Sequence, residues 1–365
     1  MQWNLKKVWP AIAASMLLAT SFTYADFGDS ASLRNIENRL NSLEQRRGVN
    51  GMINPAAMPL TRNGWDLQVS ADALLWQLFE DGLSYAVETT NNGFPVRADE
   101  VKSKYNWGFR IGLDYTLPHD NWDVALCWTH LISSRKGSSI ANDPSNVLIK
   151  TQGFASAKNP FEGYAVANSR YRNRLDQINL NVGREFFVSK WVTLRPFFGL
   201  RTDWLRQRLR TSYGFSNVVN GDPVTTDQFT NQRNKWWGMG IESGLNTQWS
   251  FCNGFSIYGN VATAIEYGLQ KLQLNEINMV GVMENNSASF SRSYHICRPI
   301  LDLQLGLGWD YNFCDFHFGL KLGWENHVYF DQSRFLSYNT VNYSDNTSGG
   351  SLTYQGWTLH ACFDF

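Results

Sequence analysis

From Tyr105 to Leu117 the chain alternates without a break. Tyr105, Trp107, Phe109, Ile111, Leu113, Tyr115 and Leu117 take one set of positions; Asn106, Gly108, Arg110, Gly112, Asp114 and Thr116 take the other. A period of two sends successive side chains to opposite faces of an extended strand, so this segment has one apolar and one polar face. The pattern resumes after residues 118–121 at Trp122, Val124, Leu126 and Trp128. It recurs where Leu301, Leu303, Leu305, Leu307, Trp309 and Tyr311 oppose Asp302, Gln304, Gly306, Gly308 and Asp310, and again at Trp357, Leu359, Ala361, Phe363 and Phe365.

Connection lengths sharpen the fold class. Short links fall near 118–121, 188–190, 250–254 and 312–315, and long ones near 78–104, 133–173, 206–232, 268–293 and 331–353. Ten-residue dyad-repeat strands joined alternately by short turns and long loops are the pattern of an antiparallel transmembrane β-barrel. The expectation is an all-β barrel over 64–365 with long external loops and about ten strands, about 12–16 being the open alternative. An even number leaves both termini on the short-turn side.

Composition fits. Only 18% of residues are charged while 15% are aromatic, yet past residue 25 no apolar run approaches the ~20 residues of a spanning helix. Trp and Tyr favour the two membrane interfaces. Tyr115, Trp122, Trp191, Trp249, Trp309, Tyr311 and Phe316 are assigned to the inner belt, and Trp76, Trp128, Trp204, Trp237 and Tyr267 to the outer. Lys+Arg 32 against Asp+Glu 32 lacks the basic excess of a nucleic-acid binder.

The first residues read as an address. Lys6 and Lys7 precede an apolar stretch from Val8 to Thr20, and Ala25 ends it with a small residue; residues 1–25 are expected to be a secretory signal peptide. Over 26–48 a short amphipathic, coiled-coil-like periplasmic helix is expected, with Ser30 as its cap and Leu33, Ile36, Leu40 and Leu43 as its stripe. Residues 30–47 could form a homo-oligomer contact, dock or plug. Residues 49–63 read as a linker. Five cysteines (Cys127, Cys252, Cys297, Cys314, Cys362) cannot all pair within one chain.

The stretch WDLQVSADALLW from Trp65 to Trp76, followed by EDGLSYA from Glu80 to Ala86, resembles the barrel start of the Legionella/Chlamydia-type (MOMP-like) pore-forming outer-membrane proteins. The run WGFRIGLDYTLPHDNWDVALCWT from Trp107 to Thr129 is similar to that family's next hairpin. The resemblance covers roughly 60–365. It implies a porin-like, surface-exposed, often oligomeric protein of the bacterial outer membrane.

Inward parity selects the candidate pore-lining residues Asp72, Arg110, Arg195, Arg201, Asp203, Glu242, Glu266, Asp302, Lys321 and Glu325. Acids prevail, which suggests a cation-favouring channel for small hydrophilic solutes or ions. Mutual pairing in a plugged small barrel is the other reading. Arg170, Arg172, Arg174, Arg206, Arg208, Arg210, Arg233 and Lys235 lie outward, just beyond the apolar stretches of three neighbouring strands. Arginine forks suit phosphate, so lipopolysaccharide is the expected partner beside outer-membrane lipid. An adhesin or receptor role for the segment 133–173 is the alternative function. Catalysis has little support: His130 beside Ser133 and Ser134 lacks a partner at readable spacing. The six His show no close metal-ligand spacing, and no cofactor motif occurs.

Overall fold

Strands with one apolar and one polar face, set in lipid, must gather their polar faces around an enclosed interior. The computed structural model describes residues 66–90, 94–117, 122–141, 146–151, 153–155, 163–189, 191–219, 222–251, 254–280, 283–313, 316–339 and 344–364. The signal segment, the helix over 26–48, the linker, Cys252, Cys314 and Phe365 lie outside these described residues.

In chain order the strands are β1 (Leu67–Glu80), β2 (Ser84–Thr90), β3 (Pro95–Glu100), β4 (Tyr105–Thr116), β5 (Asp123–Ile140), β6 (Asn146–Lys150), β7 (Gly153–Ala155), β8 (Val166–Gly183), β9 (Phe186–Phe187), β10 (Val192–Val219), β11 (Asp222–Ser250), β12 (Phe255–Val280), β13 (Met283–Phe313), β14 (Phe316–Asn339) and β15 (Ser344–Asp364). Ten of them form a closed antiparallel ring, β1–β4–β5–β8–β10–β11–β12–β13–β14–β15. β15 returns to β1 from Gln68↔Asp364 to Glu80↔Leu352, and closure removes the exposed sheet edge.

The two faces sort as the alternation requires. Trp107, Ile241, Leu305 and Leu307 are exposed on the outside, whereas Arg201, Asp203 and Glu266 are fully buried inside. Trp76 corrects the expected outer belt. It lies on the inward, even-numbered parity of β1 with Asp72 and Leu74, is 1% exposed, and donates from Nε1 to Thr358 Oγ1 at 3.1 Å. Alternation continues through the strand end, so this indole is carried into the interior and not to the girdle. Tyr171, Tyr213, Tyr258, Trp236, Tyr329 and Tyr354 are buried with it, so the aromatic excess is divided between girdle and interior.

The expected external loops are largely strand. β10, β11, β12 and β13 run for 28, 29, 26 and 31 residues, far beyond the ~9–11 that cross a bilayer. Above the membrane the outward residues need not be apolar. The period-two hydrophobic signal fades there although the hydrogen-bonded ladder continues.

A separate three-stranded sheet, β3–β2–β6, caps the long-strand end. Tyr85 Oη lies 2.6 Å from Ser139 Oγ on β5, and Tyr213 Oη on β10 donates to Tyr85 O at 2.5 Å. Lys150 Nζ pairs with Glu276 Oε1 on β12 at 3.2 Å. Leu83, Tyr85, Ala86 and Leu148 of this cap join one apolar cluster with Trp76, Leu131, Tyr171, Leu205, Leu209 and Tyr354 of the barrel interior. Among the described residues, the outer half of the interior is thus packed with side chains.

Candidate functional site

All ten candidate lumen residues face the interior, and the strands bring most of them into one charged layer. Arg110 on β4 reaches Glu325 on β14, Nη2 to Oε2 2.9 Å, and Asp72 on β1, Nη1 to Oδ2 2.9 Å. Arg201 on β10 stands fully buried among four carboxylates: Asp302 at 2.5 Å, Asp203 at 3.1 Å, Glu266 at 3.5 Å and Glu242 at 4.0 Å. Its Nη2 donates to Tyr329 Oη at 2.8 Å.

Two histidines knit these groups together. His327 sits with Nδ1 2.8 Å from Asp302 and Nε2 3.0 Å from Glu325, joining the Arg201 and Arg110 centres. His360 Nδ1 lies 2.6 Å from Asp72 Oδ1. Buried charges persist only when paired and hydrogen-bonded, which explains why cations and acids interleave across β1, β4, β10, β11, β12, β13, β14 and β15. Arg195 and Lys321 lie apart from this layer. Arg195 bonds Asp123 through Nε at 2.7 Å, and the Lys321 ammonium is 5.8 Å from the Tyr258 ring centre.

On the short-turn side of the layer lies a cavity of about 310 Å³, its wall including Ser70, Asp72, Asp114, Asn181, Arg195, Asn260 and Lys321. On the other side, Trp76, Trp236, Tyr329 and Tyr354 close over the charges, the Trp76 ring lying 4.6 Å from that of His327 and tilted 41° to it. Arg298 lies there too, 4.0 Å over the Trp236 ring and donating from Nη2 to Gln270 Oε1 at 2.9 Å. Sequence reasoning gave His327, His360, Tyr258 and Arg298 no part in the interior network. Their shared inward parity is the available signal, and Arg298 precedes the apolar stretch from Leu301 that marks its strand.

Glycine on inward positions serves close packing here. Tyr258 on β12, Gly306 on β13 and Gly323 on β14 are successive cross-strand partners. A Cβ on Gly306 would lie 2.8 Å from the Tyr258 ring, and one on Gly323 would collide with its hydroxyl.

The eight outward cations are on the outer face, in register. Arg174, Arg206 and Lys235 form one cross-strand row; Arg172, Arg208 and Arg233 form the next; Arg170 and Arg210 pair in a third. His130 is also outward, its Nδ1 2.6 Å from Asp176 Oδ1. Ser133 is buried inward while Ser134 is exposed outward, so the three do not converge. Cys127, Cys297 and Cys362 are free thiols. Among the described residues no group of three or more His, Cys, Asp or Glu side chains is placed to hold a metal ion.

Comparison with known proteins gives a family and several distant solved structures. No curated protein sequence matches the chain. Similar solved structures include the outer membrane protease OmpT from Escherichia coli, at 12% identity and TM-score 0.37, covering 85% of this chain and 98% of that one. A Pseudomonas aeruginosa FadL homologue is similar at 8% identity and TM-score 0.27, covering 82% and 89%. The toluene transporter TodX of Pseudomonas putida follows at 8% identity and TM-score 0.24, covering 83% and 89%. The family model described as the Legionella pneumophila major outer membrane protein precursor matches residues 57–365, and with the closed barrel this chain therefore belongs to that outer-membrane protein family.

Proposed function

We propose that the chain is an outer-membrane channel for small hydrophilic solutes or ions, cation-favouring, with its outer mouth held shut by the β3–β2–β6 cap. The observation that carries this reading is the polar cavity of about 310 Å³ within the barrel, bordered by the charged layer. Asp72, Asp114, Glu242, Asp302 and Glu325 at its wall prevail over Arg110, Arg195 and Lys321, and an interior rich in carboxylate attracts cations. Arg201 faces four acids, one of which, Asp302, is also met by His327.

Passage requires the outer half to open. The cap is joined to the barrel by polar contacts, Tyr85–Ser139, Tyr213–Tyr85 and Lys150–Glu276 among them, and by the packing of Leu83, Tyr85, Ala86 and Leu148 on the interior cluster; a swing of this lid breaks those contacts and leaves the ring ladder intact. A surface-receptor role for the segment 133–173 has less to stand on, because its described residues are largely woven into β5, β6, β7 and β8.

The test is conductance of the purified full chain in a planar bilayer under a salt gradient. Stepwise openings with a reversal potential of cation sign support the channel. A closed trace at every potential, both for the full chain and for a chain lacking the cap, rejects it.

A further inference from the structure

The outward cations extend further than the three strands on which sequence parity placed them. Lys136 on β5 is the register partner of Arg170 on β8, and Lys271 on β12 is the partner of Lys235 on β11. The lowest row is therefore Arg174–Arg206–Lys235–Lys271, the middle row Arg172–Arg208–Arg233, and the upper row Lys136–Arg170–Arg210. Rows two residues apart stand about 7 Å from one another along the strands.

Like charges directly opposite one another on neighbouring strands destabilise a sheet. Among the described residues, Arg174 alone in these rows has an acidic partner, Asp176 at 2.8 Å. Partial burial, with Arg210 and Arg233 beside it, lowers the pKa of Arg208 below the ordinary arginine value. An arrangement so costly to the free protein is relieved by a polyvalent anion.

Two further features say which anion. Immediately below the lowest row, Trp204 and Trp237 are register partners, followed downward by Met239 and Tyr267 and then by Leu200, Ile241 and Ile265. Met239, Ile241, Tyr267 and Ile265 are all at least half exposed to the outside. The cations thus stand directly above an aromatic girdle and an apolar band that faces acyl chains. Above them lies a groove of about 520 Å³ bordered by Lys136, Arg170, Arg210, Ser138, Asn231 and the exposed ring of Phe229. Phosphate at the level of the rows, acyl chains below and a sugar above make one molecule.

We propose that the outer face of β5, β8, β10, β11 and β12 seats a phosphorylated glycolipid of the surrounding leaflet, its phosphates on the arginine rows and its sugar in the groove beside Phe229. Guanidinium forks supply bidentate contacts to phosphate oxygens. The seat is on the lipid side of the wall and does not depend on the channel reading.

The experiment uses the full chain refolded in detergent and titrated with bis-phosphorylated lipid A, with its dephosphorylated counterpart, and with inorganic phosphate alone. Co-migrating lipid is read by size exclusion, and folding is verified for each variant by its gel shift on heating. The expected result is retention of the phosphorylated lipid, little retention of the dephosphorylated one, and no displacement by millimolar phosphate. Arg172→Gln/Arg208→Gln/Arg233→Gln, and separately Lys271→Gln with Lys136→Gln, should bind at least about tenfold more weakly, while Lys104→Gln should match the parent. Equal retention of the dephosphorylated lipid, or unchanged binding by the folded row variants, overturns the proposal. Displacement of the lipid by inorganic phosphate alone assigns the rows to a free anion and overturns it equally.

Discussion

Arg110 on β4 crosses to Glu325 on β14, Nη2 to Oε2 2.9 Å, over the intervening strands β1 and β15. Glu325 is 1% exposed, and the same guanidinium holds Asp72. The contact therefore ties non-adjacent staves of the barrel through its interior, with the carboxylate buried and the guanidinium half-buried at the cavity wall.

Breaking such a pair costs up to about 3–5 kcal/mol, and because Glu325 keeps His327 and Gln304 while Asp72 keeps His360, Arg110→Met is expected at the lower end, about 3 kcal/mol. Arg110→Met/Glu325→Met removes both charges and should lose less than the sum of the single variants. Urea unfolding in lipid vesicles measures this. Strict additivity would show that the two residues do not couple.

The faces of β13 offer a test of register. Leu303 is 45% exposed on the outside, while Gln304 points inward and donates to Glu325 Oε1 at 2.6 Å. Leu303→Arg places a charge against lipid near the middle of the apolar band, at a cost of about 2–4 kcal/mol. Gln304→Arg enters the polar interior and should cost less, altering ion selectivity instead. Equal destabilisation by the two substitutions contradicts the assigned faces.

Register is what the sequence carries most openly. Alternation at Tyr105–Leu117 and Leu301–Tyr311 dictates which side chains meet lipid, and hence that Arg110, Arg201 and Glu325 turn inward. Two things escaped it for physical reasons. Residues 206–214 carry strand pairing without an apolar outward face, because they stand above the membrane, and so resemble a loop. The meeting of Arg201 with Asp302, or of His327 with Glu325 and Asp302, depends on ring curvature and stagger, which parity along a single strand does not encode.

Tyr258 lies over two glycines because their missing side chains are the space it occupies. Gly323→Ala should therefore overpack the interior, costing about 1–3 kcal/mol. The nearest obstruction is the Tyr258 hydroxyl, so Tyr258→Phe in the same chain should restore part of the loss. Thermal unfolding of the single and double variants distinguishes this from a backbone effect of alanine, which phenylalanine would not relieve.

Two of the three cap strands, β2 and β3, can be removed without breaking the ring. β1 ends at Glu80 and its register partner β4 begins at Tyr105, with Gln77 opposite Tyr105, so a short turn can replace residues 82–103. This takes away Leu83, Tyr85 and Ala86 from the apolar cluster over the mouth and frees Ser139 and Tyr213 of their cap partners. Loss of that packing weakens the outer end, whereas the β1–β4 ladder from Leu67↔Tyr115 to Gln77↔Tyr105 remains. The expected outcome is a folded, heat-modifiable barrel with larger and longer-lived openings than the full chain in a planar bilayer. Lys150→Met, which removes the Glu276 contact while keeping the cap, should move opening frequency in the same direction by a smaller amount. If both variants conduct as the full chain does, the cap is not the barrier, and the closure lies deeper, at Trp76, Trp236 and Tyr329.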